Sequence, residues 1–126
     1  MTHSHRDALI FFPKHSMPTP WGVSQYKHEV ATSVYIVGSS SHGGCMIGCK
    51  VALDYLSPEA IAHGRKWNQW LCYEEDCDIA IIMYEQPKWF TDKYTAPKTT
   101  LEIQEIALSV ISKYAPDYYK SILNKV

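Results

Sequence analysis

Apolar positions follow several rhythms along this chain, and each predicts a different kind of element. From Val23 to Val37 the β-branched and aromatic residues are dense: Val23, Tyr26, His28 and Val30, then Thr32, Ser33, Val34, Tyr35, Ile36 and Val37. Such side chains suit a pleated surface, so the segment predicts two strands, about 22–29 and 32–38, joined near Ala31 as an antiparallel hairpin. Cys45-Met46-Ile47-Gly48-Cys49 predicts a third strand, and a helical turn is expected over Lys50 to Leu56. Ser57-Pro58-Glu59 reads as a helix start, with Ser as cap, Pro at the first helical position and an acid in the electropositive first turn. Ile61, Gly64, Trp67 or Asn68, and Leu71 fall on one face of a helix continuing from it. Gly64 inside that helix costs about 1 kcal/mol relative to Ala, which points to a close packing contact.

The run Ile79-Ala80-Ile81-Ile82-Met83-Tyr84 is apolar at nearly every position and fits either a buried strand or a buried helix. Three acids ahead of it, Glu74, Glu75 and Asp76, favour a helix N-terminus, and Pro87 ends the element in either case. Residues 88–98 predict a loop with exposed aromatics at Trp89 and Phe90. Thr99-x-x-Glu102 is a capping box. Leu101, Ile103, Ile106, Ala107, Val110, Ile111 and Tyr114 then give a 3.6-residue stripe. Pro116-Asp117 breaks it, and Tyr118 to Asn124 predict a short last helix. Pro13, Pro18 and Pro20 predict an irregular arm over residues 1–18, with Ala8 to Phe12 as a short edge strand. The resulting fold class is α+β: a small antiparallel sheet from the N-terminal half packed against three to four helices, in one domain over residues 19–126.

Composition narrows the function. The 12 basic and 13 acidic residues leave a net charge of −1. Neither the basic stripe of a nucleic-acid binder nor the dense acidity of a nucleic-acid mimic is present, so direct nucleic-acid binding is disfavoured. No apolar run reaches the ~20 residues of a membrane span, and the stretch Ala8 to Phe12 is shorter than a signal-peptide core. A cytoplasmic protein without membrane association is expected. In that compartment Cys45, Cys49, Cys72 and Cys77 are expected as free thiols, buried or half-buried. Their C-x3-C and C-x4-C spacings depart from the C-x2-C knuckles of structural zinc, and a metal site, a disulfide or a catalytic thiol stand as alternatives. His3-x-His5 reads as part of the arm. No metal and no cofactor is expected.

Three short constellations hold the unusual polar chemistry. In Ser39-Ser40-Ser41-His42-Gly43-Gly44, paired glycines let backbone approach a ligand and adopt positive φ, so that successive N–H groups converge on an anion. Ser41 adds a donor, and His42 is suited to acid, base or ligand roles near neutral pH. The plainer reading is a tight turn with a solvated His. In Glu74-Glu75-Asp76-Cys77-Asp78, four carboxylates within five residues repel one another unless they are solvated, set at a helix N-terminus or met by a cation. Trp21, in Pro20-Trp21-Gly22, plugs a core edge or offers a stacking surface. A Cys–His enzyme with Cys77 as nucleophile and His42 as base meets the list of roles, but acidic neighbours would raise the thiol pKa and weaken it.

Taken in order, Thr19-Pro20-Trp21-Gly22, Ser41-His42-Gly43-Gly44 and Tyr73-Glu74-Glu75-Asp76-Cys77 before an apolar run resemble a family of small domains of unknown function. That family occurs in bacterial plasmid, prophage and phage genes, sometimes near antirestriction genes. The resemblance spans about residues 19–90; the helix between the motifs and the C-terminal third depart from the pattern. It implies a mobile-element setting and carries over no catalytic role. The function expected is a small binding or inhibitor protein of phage or mobile-element type. It would interfere with a host defence or regulatory component by binding a protein surface or a nucleotide-like ligand, and self-association is left open. Trp21, Ser41, His42, Gly43, Gly44, Glu74, Glu75, Asp76 and Cys77 are the candidate binding residues. The alternative is a small hydrolase or transferase using His42 with Glu74, Glu75, Asp76 or Cys77 on a nucleotide or protein substrate. Both readings require that the glycine-flanked His and the clustered acids be neighbours in space.

Overall fold

Two-residue strands open the described chain. The computed structural model describes residues 16–92 and 97–125; the strand expected at Ala8 to Phe12, and His3, His5 and His15, lie outside them. Strands β1 (Pro18–Thr19) and β2 (Gly22–Val23) form a hairpin of their own. Strands β3 (Tyr26–Ala31), β4 (Val34–Gly38) and β5 (Gly43–Gly48) follow as an antiparallel meander. Helices α1 (Cys49–Tyr55) and α2 (Pro58–His63) lead to a second hairpin, β6 (Arg65–Trp67) and β7 (Trp70–Glu74). Strand β7 pairs with β5, so the sheet order is β3-β4-β5-β7-β6, antiparallel throughout. Helix α3 (Ile79–Glu85), a 3-10 turn (Pro87–Phe90), α4 (Thr100–Tyr114) and α5 (Pro116–Asn124) complete the fold. The protein is α+β, with a five-stranded antiparallel sheet packed against helices.

Local signals explain several of these bounds. Ser57 caps α2 by accepting the Ala60 N–H at 3.1 Å, with Pro58 at the first helical position. The capping box of α4 is complete: Glu102 N–H donates to Thr99 Oγ1 at 3.1 Å, and Thr99 N–H to Glu102 Oε1 at 2.8 Å. The connection expected near Ala31 is the turn Thr32-Ser33, where Ser33 takes φ 60°.

Other expectations are corrected. The helix starting at Ser57 ends at His63, and Trp67, Asn68 and Leu71 belong to the β6–β7 hairpin instead. Gly64 sits just past the helix, where a Cβ would lie 2.7 Å from the Tyr73 hydroxyl and 2.5 Å from Leu71 Cγ; the close contact is real but not helical. The apolar run is a helix, yet Glu74 ends strand β7 and Glu75 and Asp76 lie in a turn, so the acids are not its first turn. Phe90, expected exposed, is fully buried. In α4 the buried stripe is Ile103, Ala107 and Ile111, while Leu101, Ile106 and Tyr114 face outward. Residues 22–23 leave the first strand for the small hairpin.

Alternation along the strands separates two faces. Val34, Ile36, Cys45, Ile47, Leu71 and Tyr73 point to the helices, and with Ala60, Ile81, Ile82, Phe90 and Ile103 make the main core. Burial on this scale is the main source of folding free energy. The other face carries a small cluster, Val37, Met46 and Cys72, flanked by half-buried Met17, Trp21, Tyr35, Trp67 and Trp70. The β1–β2 hairpin lies on this second face. Buried Ser24 ties it down, exchanging bonds with Met17 through its N–H (to the Met17 carbonyl, 2.9 Å) and its Oγ (from the Met17 N–H, 2.9 Å).

Candidate functional site

Each of the three motifs is first of all a turn. In Thr19-Pro20-Trp21-Gly22 the Thr19 hydroxyl donates to the Gly22 carbonyl at 2.5 Å and accepts the Trp21 N–H at 3.0 Å. Gly22 takes φ +105°, which an L side chain rarely adopts. Proline presets the corner. The result is a clamped hairpin that lays the Trp21 indole on the sheet.

The second motif joins β4 to β5. Ser39 closes it: its N–H and its hydroxyl both donate to the His42 carbonyl, at 2.7 and 2.8 Å, and its Oγ accepts the His42 N–H at 3.2 Å. Ser41 and His42 are exposed. Gly43 and Gly44 are strand residues without positive φ, so they do not form the anion-binding nest their sequence suggested. They are glycine because space is lacking. A Cβ on Gly43 would collide with the Val37 carbonyl, and one on Gly44 with the Tyr73 carbonyl and, at 2.8 Å, with Trp21 Cη2. The bareness of Gly44 is what lets the indole rest there.

The third motif continues from β7. Tyr73 is fully buried and its hydroxyl donates to the Ala60 carbonyl at 2.6 Å. Glu74 is the register partner of Gly44, and the Glu75 N–H donates to the Gly43 carbonyl at 2.9 Å. Asp76 turns the chain with φ 76° and is exposed, Cys77 is half-buried, and α3 begins at Ile79.

Pairing of β5 with β7 therefore gathers all three motifs at one end of the sheet. His42 Nδ1 stands 3.6 Å from Glu74 Oε2, with side chains 59% and 41% exposed. Trp21 lies on Gly44 beside them. The neighbourhood required by the sequence argument is present, and it is a surface rather than a crevice. Screening by water leaves an ion pair of this exposure worth at most about 1 kcal/mol.

The electrostatics weaken the thiol as a nucleophile. Burial pushes the Cys77 thiol pKa up, the Asp78 N–H opposes this, and the charges of Asp78, Glu74 and Asp76 push it further up. Asp78 is itself raised, by burial and then by Glu74, with His63 acting against. No disulfide joins Cys45, Cys49, Cys72 or Cys77; Cys45 and Cys72 are buried, Cys49 and Cys77 half-buried. Among the described residues no group of three or more His, Cys, Asp or Glu side chains is placed to hold a metal ion.

Sequence reasoning missed the aromatic extension of this surface. Register places Glu74, Cys72 and Trp70 of β7 on the same face, in rows with Gly44, Met46 and Gly48 of β5. Tyr35 and Trp70 meet edge to face with ring centres 5.7 Å apart, and Lys27 Nζ lies 5.4 Å from the Tyr35 ring centre. The alternation Trp70-x-Cys72-x-Glu74 carried the signal, hidden by the helical reading of Leu71.

Fold and site together define a small α+β domain with an aromatic sheet face and a polar, acid-flanked rim. The chain belongs to the family described as Domain of unknown function (DUF7007), whose family model matches residues 14–126. No curated protein and no solved structure matches the chain. No helix among the described residues is long and apolar enough to cross a membrane.

Proposed function

We propose that the protein is a binding module that acts by occupying a protein partner, with the second sheet face as its docking surface. The observation that supports this most is the convergence of Trp21, Gly44, His42 and Glu74 beside half-buried Tyr35, Trp67 and Trp70. Aromatic and Met side chains ringed by charge are the composition of interface centres. The acids Glu74, Glu75 and Asp76 at this end of the sheet favour a partner with a basic surface. The motif resemblance to plasmid and phage domains supports a host defence or regulatory component as that partner, met in the host cytoplasm.

Capture from host lysate on immobilised wild type, Trp70→Ala and Glu75→Lys/Asp76→Lys tests this. The reading expects one protein held at 1:1 by calorimetry, weakened by added salt and lost in both variants. Equal retention by all three proteins sinks it.

The His42–Glu74 approach is the one feature that favours the alternative, an enzyme using His42 with Glu74, Glu75, Asp76 or Cys77. Turnover of a substrate by the wild type, abolished in folded His42→Ala, would establish that reading instead.

A further inference from the structure

A cleft of about 600 Å3 opens on the opposite side of the sheet, between edge strand β3 and the 3-10 turn. Its floor is Val30 and Ile36, which close the main core at this edge. Register puts Tyr26 beside Gly38 and His28 beside Ile36, so both rings stand on the helix side. Facing them is Trp89, held edge to face by Tyr55 at 5.8 Å between ring centres. Lys88 and Asp92 bring one charge of each sign to the wall. Glu29 also lines the cleft, but its carboxylate is drawn to the Ser33 N–H at 3.4 Å and to the Tyr35 hydroxyl.

We propose that this cleft binds a nucleoside monophosphate. Volumes of roughly 300–1,000 Å3 with an apolar floor and a few convergent polar groups are those of small-molecule sites. Three rings on facing walls suit a planar base, and stacking on aromatic side chains is the sequence-tolerant way to hold one. Strand β3 is a sheet edge, so its outward N–H and C=O groups are available to the base's hydrogen-bonding rim. Lys88 offers an ammonium to a phosphate, with the His28 imidazole as a second donor, and Asp92 accepts from sugar hydroxyls. One ammonium matches a monophosphate better than a di- or triphosphate. The inference stands apart from the docking surface, which lies on the other face.

Titrations of the full chain with the monophosphates of adenosine, guanosine, cytidine and uridine, by calorimetry and amide NMR, test it. Nucleosides and inorganic phosphate serve as controls. The expected result is saturable 1:1 binding with shifts at β3 and the 3-10 turn. Trp89→Ala should weaken it by about tenfold or more. Exposed Lys88→Gln should lower nucleotide affinity to that of the nucleoside, and Trp21→Ala should leave it unchanged. Because Trp89 also packs on Tyr55, the Lys88→Gln result decides if Trp89→Ala fails to fold. Lack of saturation at millimolar nucleotide overturns the proposal. So do equal binding of inorganic phosphate, indifference to Lys88→Gln, and binding of single-stranded oligonucleotide without mononucleotide.

Discussion

The two faces of one sheet are finished in opposite ways. Toward the helices, Cys45, Ile47 and Tyr73 are sealed under α1, α2 and α3, and the polar atoms that remain have dedicated partners, such as the Tyr73 hydroxyl on the Ala60 carbonyl. Toward the motif side, Val37, Met46 and Cys72 are buried under a pair of two-residue strands and half-buried rings. On the second face the bare Gly44 receives the Trp21 ring. A face finished for stability resists change, whereas one left half-open keeps area for a partner. Both edges of the sheet are guarded by charge: β3 carries Lys27, His28 and Glu29 and an irregular register after Glu29, and the three-residue β6 carries Arg65 and Lys66. Such edges discourage strand addition, which leaves the half-open face as the route to association.

The largest test of this contrast compares one ring from each face. Phe90→Ala should cost about 3–5 kcal/mol, since the side chain is fully enclosed and the cavity cannot collapse onto solvent. Trp70→Ala should cost about 1–2 kcal/mol, because part of the ring is already wet. Urea denaturation of both variants checks the gap; equal losses would erase the distinction between the faces.

Next comes Glu85, which gathers three elements on the helix side. Its Oε1 accepts the Ser57 N–H at 2.8 Å, and its Oε2 accepts the Ser57 hydroxyl at 2.5 Å and the Tyr118 hydroxyl. Burial, then the bond to this carboxylate, pushes the Tyr118 phenol pKa up. Glu85→Ala strands these donors and should cost about 2–3 kcal/mol, seen as a lower urea midpoint at unchanged slope.

Local chemistry was readable in the sequence, and long-range pairing was not. Thr99 with Glu102, and Ser57 with Pro58, announce helix starts because capping acts within four residues. The end of α2 was misread because Leu71 falls by chance on the helical period of Ile61, while its true partners, Ile47 and Lys66, lie across strands. Glu85 follows an apolar run with nothing nearby to show that Ser57 and Tyr118 meet it. The three motifs were visible as turns and acids, but their meeting depends on β7 inserting beside β5, a pairing that spans two helices. Their glycines invited an anion-nest reading; the packing that explains them exists only in three dimensions.

On the motif side, Gly44→Ala should cost about 2 kcal/mol through overpacking, because the added methyl meets the Tyr73 carbonyl and the Trp21 ring together. The β5–β7 ladder resists, so the hairpin holding Trp21 should yield first. A red shift of tryptophan emission before any loss of helical circular dichroism would show this. An unchanged indole environment would mean that Trp21 does not depend on the bare glycine.

The smallest effect carries the clearest sign. Asp78 precedes α3 at its cap position, yet its carboxylate accepts no helix N–H, and its folded pKa is raised, by burial first and Glu74 second. A raised folded pKa means that the native state binds the proton more tightly. The group's contribution is therefore most favourable below the unfolded carboxylate pKa and is lost as pH rises through the folded value. Asp78→Asn loses no capping bond and removes the charge. It should be more stable than wild type at neutral pH, by under about 1 kcal/mol once solvent screening is discounted, and the advantage should vanish in acid. Glu102, in the capping box on the helix side, is the reverse case: bonds from the Thr99 N–H lower its pKa. Its contribution is present above the unfolded pKa and is lost as pH falls, so Glu102→Gln should lose stability at neutral pH and match wild type in acid. Opposite pH slopes for the two variants, measured by urea midpoints across the carboxylate range, would separate the desolvated acid from the satisfied one; parallel slopes would remove that difference.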